Sequence, residues 1–176
     1  MSDSVRRLII ARHAKAAWPE GVPDLERPLA ERGRRDAPRA GRWLAESGLV
    51  PDRVVCSPAA RTRETFSLIS AQWDAVPPVD YDERVYAAGL AALLAVVRGA
   101  PPASRALMVV GHNPGMQGLT LALAGDGDPA GLARANEKYP TCGIAVLEVS
   151  GTWSSVGPGR AVLERFAVPR DFVDVG

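Results

Sequence analysis

The chain has 176 residues, and 21 basic against 20 acidic side chains leave a formal net charge of +1. That length suits one domain spanning residues 1–176, and an apolar fraction of 47% can fill a core, which excludes a disordered chain. The longest apolar run, 87–97, falls short of the ~18 residues that a membrane span needs, and MSDSVRRLIIARH turns charged too early for a secretory signal, so a cytoplasmic protein with no membrane partner is expected.

Leu8–Ala11 opens the pattern as a continuous apolar run, the mark of a strand covered on both faces. A Pro/Gly-rich loop, 18–28, separates it from a helix over about 31–47, whose start is blurred by Pro38 because proline is comfortable only in a first turn. Val54–Cys56 reads as the second strand and 58–73 as the second helix, with a short strand possible at Val79. A helix over 89–97 leads to the third strand, Leu107–Val110, and a helix over 114–124 follows. Ile144–Val149 is a fourth strand, 151–159 a loop, and the alternating Arg160–Val168 a final edge strand. Strand and helix alternate, which predicts an α/β sandwich around a mostly parallel sheet.

In such sheets ligands bind beyond the carboxyl ends of the strands. Three predicted strands end in chemistry suited to an anion: Arg12-His13, Cys56-Ser57-Pro58 with Arg61 following, and His112-Asn113-Pro114. The last two share a form, with Ser57 or Asn113 as N-cap and proline as the first helical residue. Each would aim a helix N-terminus at one edge of the sheet, where free N–H groups favour a phosphoryl group. Taken singly, each piece is a structural histidine, a helix start or a solvated arginine. The argument rests on their coincidence, since His13 and His112 are the only two histidines.

Other chemistries fit less well. The 19 arginines against two lysines suit phosphate forks, but a near-neutral chain is a poor nucleic-acid binder, and no nucleic-acid partner is expected. Residues 1–63 carry 13 basic and eight acidic side chains, so the basic excess lies with the first two strand ends. Cys56 and Cys142 are too few for a disulfide framework or a zinc site. Cys56 also misses the C-x5-R cradle of cysteine phosphatases, since position 62 is Thr and Pro58 removes an N–H.

Four blocks together resemble the histidine phosphatase superfamily, and more closely its SixA-type phosphohistidine phosphatases: LIIARHAKA (8–16), DLERPL (24–29) leading into ERG (31–33), CSPAARTRET (56–65) and VVGHNPG (109–115). The resemblance implies a three-layer α/β/α sandwich of phosphoglycerate mutase-like fold, with no metal and no cofactor. It implies His13 as nucleophile and Arg12, Arg61 and His112 as catalytic and phosphate-binding groups, with Asn113 beside them. The run Glu83-Arg84-Val85-Tyr86 is similar to the superfamily's acid segment and implies Glu83 as proton donor, although Asp80 and Asp82 lie next to it. Ala14 replaces the glycine usual in the wider superfamily, and 83–105 is too short for the lid that larger relatives insert.

A histidine nucleophile must be neutral, and adjacent cations favour that form. Arg12 and Arg61 would also neutralise phosphoryl oxygens, which is most of what phosphoryl transfer asks of a protein. Asp24 and Arg27 either line the mouth or pair to pin the loop after His13. The expected function is a metal-independent phosphatase acting on a phosphohistidine protein. A phosphatase for small phosphoesters and a non-catalytic phospho-residue binding module are the alternatives.

Overall fold

The computed structural model describes residues 5–172. Its sheet has seven strands: β1 (Arg6–Arg12), β2 (Arg53–Cys56), β3 (Val79–Tyr81), β4 (Ala106–Gly111), β5 (Ala124–Gly127), β6 (Ile144–Val149) and β7 (Ala161–Ala167). They lie in the order β3-β2-β4-β1-β6-β7-β5. Only β6 runs against its neighbours, so the sheet is mostly parallel. Five helices cover it: α1 (Glu31–Glu46), α2 (Ala60–Ser70), α3 (Leu90–Arg98), α4 (Gly115–Leu123) and α5 (Pro129–Glu137).

The continuous apolar strands have two cores to fill. Leu8, Ile10, Leu107 and Val109 point to one face and pack with Leu93, Val97, Leu119 and Trp153. Ile9, Ala11, Met108 and Val110 point to the other, against Leu44, Phe66, Ile69 and Trp73. Period-two alternation thus splits one apolar run between two helical layers. The result is the expected three-layer sandwich.

Several boundaries move. Pro38 sits inside α1 rather than in its first turn. The helices after β2 and β4 start at Ala60 and Gly115, so Pro58 and Pro114 are not first helical residues. Ser57 Oγ accepts from Ala59 N–H (3.3 Å), just ahead of α2, whereas Asn113 Oδ1 does accept from Gln117 N–H (3.2 Å) in the first turn of α4. The 160–168 segment is not at the edge, because β5 pairs with β7 beyond it. The Ala-Gly-Asp-Gly text of β5 has no strand propensity. It fits because its glycines allow close approach: a Cβ on Gly125 would stand 2.0 Å from Gly159 O, and Gly127 has a φ of +140°. Residues 83–105 hold a turn and α3, and Leu93, Leu94, Val96 and Val97 of α3 are buried in the core rather than arched over the site.

Candidate active site

The carboxyl ends of β1, β2 and β4 meet at one edge, because the three strands are parallel and adjacent. Beyond Arg12 the chain stays tied on both sides. His13 N–H donates to Gly111 O (3.0 Å), and His13 O accepts from Cys142 N–H (2.9 Å). The His13 side chain is buried, at 8% exposure. Its Nδ1 lies 2.7 Å from Ala14 O. A carbonyl only accepts, so Nδ1 carries the hydrogen and Nε2 keeps the free lone pair. The backbone has chosen the tautomer.

His112 follows the end of β4 and brings its ring centroid to 5.3 Å from that of His13. His112 Nε2 is 2.8 Å from Ser57 Oγ, so the second strand end holds the third. The N-termini of α2 and α4 sit at this edge and present the positive ends of their dipoles.

Arg61 stands in the first turn of α2 and is buried. Its Nη1 donates to Asp24 O (2.7 Å) and its Nη2 to Asp24 Oδ2 (3.1 Å). Asp24 also accepts from Arg27 Nη1 (3.1 Å) and from Tyr86 OH (2.5 Å). Asp24 and Arg27 therefore do pair, and the pair reaches into the site. Arg12 Nη1 and Asn113 Nδ2 both donate to Tyr139 O, at 2.9 and 2.8 Å. These residues enclose a cavity of about 240 Å³, lined by Arg12, His13, Lys15, Trp18, Arg27, Arg61, His112, Asn113 and Thr141 among others.

The two imidazoles are held neutral. Burial is the largest cause for His13, which is pushed down to about 4, with Arg12, Arg61 and Arg27 adding to it and the Ala14 hydrogen bond opposing. Burial again leads for His112, lowered to about 3, with His13 and Arg61 next. The sequence argument credited the cations, but desolvation contributes more. Asp24 is held far below the ordinary carboxylate range, first by the Tyr86 hydroxyl and then by the two arginines. Burial pushes the Cys56 thiol up to about 12, which removes it as a nucleophile at neutral pH.

The structure thus brings Arg12, His13, Arg61, His112 and Asn113 to one cavity. It leaves Glu83 exposed, in the Glu83–Val85 turn after β3, and off the cavity lining. The residue of that segment which reaches the site is Tyr86, edge-on to His112 at 5.5 Å between centroids. Sequence reasoning missed Tyr86, Lys15, Trp18 and Thr141. Only Trp18 carried a signal, as a lone indole in a polar loop; it is 78% exposed, with Arg27 Cζ 3.2 Å above its ring. Among the described residues no cluster of three His, Cys, Asp or Glu side chains is placed to hold a metal ion, and no helix is long and apolar enough to cross a membrane.

The chain is similar to known proteins in sequence and fold. The model of the histidine phosphatase superfamily (branch 1) matches residues 8–86. An uncharacterised protein of Mycobacterium tuberculosis is 44% identical over 161 residues, spanning 90% of this chain and 99% of its own. A structure from Nakamurella multipartitia, assigned as the phosphohistidine phosphatase SixA, superposes with a TM-score of 0.80 at 30% identity, over 94% of this chain and 96% of that one. One from Agrobacterium tumefaciens with the same assignment gives 0.79 at 30% identity, over 93% and 98%. Those matches and the two-histidine, two-arginine strand-end site place the chain in the histidine phosphatase superfamily, among its SixA-like phosphatases.

Proposed function

We propose that the protein is a metal-independent phosphatase that removes phosphate from phosphohistidine on a signalling protein, through a covalent intermediate on His13. The observation that carries the reading is the Nε2 lone pair of a neutral His13, fixed by the Ala14 carbonyl and flanked by Arg12 and Arg61. Nε2 attacks phosphorus while the bond from phosphorus to the substrate imidazole breaks. The departing ring takes a proton from water. In the second step water attacks the phosphorus on His13, gives up a proton and releases phosphate, and Nε2 regains its lone pair. Arg12, Arg61, a neutral His112 and the Asn113 amide are the donors for the phosphoryl oxygens, and the two guanidiniums balance their charge.

Three features favour a protein-borne phosphohistidine over a metabolite ester. The cavity is small and mostly cationic. The helix of the 83–105 segment, α3, packs its apolar face into the core and does not close the mouth. A leaving imidazole is much less basic than an alkoxide and asks little of a general acid, which suits a site whose candidate acid, Glu83, is exposed and off the cavity lining. A phosphorelay substrate would also place the enzyme in the cytoplasm. The test compares rates on a histidine-phosphorylated protein with rates on aryl and metabolite phosphates. A clear preference for the phosphoprotein is expected, and a preference for one metabolite ester would overturn the substrate assignment.

A further inference from the structure

The catalytic cavity is not the only cationic hollow at this edge. Across the Lys138–Thr141 loop lies a groove of about 420 Å³, rimmed by Arg32, Arg134, Lys138 and Arg170, with Glu137 as the one carboxylate in its lining and Phe166 in its floor. The two hollows share a wall. Pro140 lines the groove and Thr141 the catalytic cavity, while Tyr139 O between them accepts from Arg12 and Asn113. Together the two linings hold eight cationic side chains and one carboxylate, in a chain of net charge +1. Asp24, Asp36 and Asp171 pair with four of those arginines, and cations still outnumber carboxylates by four. Lys138 and Arg170 are exposed and enter no ion pair among the described residues.

A free phosphoryl group needs only the inner cavity, so charge on the far side of the 139–141 wall acts only on something larger. We propose that this groove docks an acidic surface of the phosphohistidine-bearing protein, with substrate carboxylates on Lys138 and Arg170 while the phosphorylated ring reaches His13. The inference rests on the phosphoprotein reading above and adds the chemistry of the partner's surface. Charge complementarity of this kind acts on encounter and on salt dependence more than on the chemical step.

The test uses a small acidic histidine-phosphotransfer domain, phosphorylated on its histidine, beside free phosphohistidine. Lys138→Glu with Arg170→Glu should lower kcat/KM for the phosphorylated domain roughly tenfold or more, carried by KM, and flatten its dependence on salt. The same double variant should keep its rate on free phosphohistidine. Arg105→Glu, half that change of charge and at the opposite edge of the sheet, should leave both rates near wild type. Equal losses on both substrates, or an equal loss from Arg105→Glu, would overturn the docking groove. So would a double variant that handles the phosphorylated domain as wild type does, and then the phosphoprotein reading itself would stand. If the wild type turned over free phosphohistidine but not the phosphorylated domain, both would fall.

Discussion

Arg61 spends both terminal nitrogens on Asp24, and Asp24 in turn holds Arg27 and the Tyr86 hydroxyl. A carboxylate beside a phosphate site repels the substrate, so its retention needs a reason. Orientation supplies one, since a guanidinium binds oxygens well only in a fixed plane. Asp24→Ala is therefore expected to weaken orthovanadate binding roughly tenfold by freeing Arg61, as the loss of one charge-assisted hydrogen bond would. Tighter binding would mean that Asp24 only competes with the substrate. Glu83, exposed outside the cavity lining, makes a contrasting case. Glu83→Gln should slow phosphohistidine turnover less than aryl phosphate turnover, because only the oxygen leaving group needs a delivered proton. Losses of about a hundredfold on both substrates would make Glu83 an obligatory acid.

At the scale of elements, α1 is what holds the nucleophile loop in place. Lys15 O accepts from Ala30 N–H (2.9 Å) and lies against the bare Cα of Gly33, where a Cβ would stand 2.3 Å from it. An Ala16–Leu29 bridge and Glu64, which accepts from Leu29 N–H and Arg34, tie the same loop to α2. The ERG block is thus a packing device for the strand end that carries His13. Gly33→Ala should destabilise the fold by about 1–3 kcal/mol through overpacking, and should also cut turnover by shifting Lys15 and its neighbours. Chemical unfolding and a rate measurement on the folded fraction check the two effects, and an unchanged rate would separate this helix from the site. The elements that carry His13, Arg61 and His112 were legible in the sequence because each signal is local, an apolar run ending at a helix start. Tyr86 and Trp18 were not, because they reach the site through loops whose paths depend on packing far along the chain. β5 was hidden by its glycines, whereas Asp128 and Pro129 of α5 were a readable start: the Asp128 side chain accepts from Gly131 N–H, with proline in the first turn.

For the whole molecule, two buried neutral histidines make a pH signature. An unfolded histidine titrates near 6.5, while the folded values are about 4 for His13 and about 3 for His112. As pH falls below 6.5 the unfolded chain takes up protons that the folded protein refuses, so stability declines toward acid. Asp24 acts lower, because its folded value lies below the ordinary carboxylate value of 3.8 and its contribution is lost only as pH falls past that point. The decline between about pH 6.5 and 4.5 should therefore belong to the histidines. Urea unfolding across that window should show it, and His13→Ala should roughly halve it, leaving the share of His112. A wild-type stability that stays level from pH 6.5 to 4.5 would mean the rings are solvated and charged. The meeting of three strand ends was visible in the sequence at this scale, but the burial that sets these values was not, since desolvation depends on the assembled cavity.

The covalent intermediate is the central claim, and trapping it is the most direct test. Wild-type protein mixed briefly with a phosphohistidine substrate and quenched in alkali should carry one phosphoryl group, stable in base and labile in acid as phosphoramidates are. Peptide mapping should place it on His13, phosphorus NMR should report attachment at Nε2, and His13→Ala should give no adduct. A phosphoryl group on Ser57, Cys56 or His112, or turnover that persists in His13→Ala, would contradict the account.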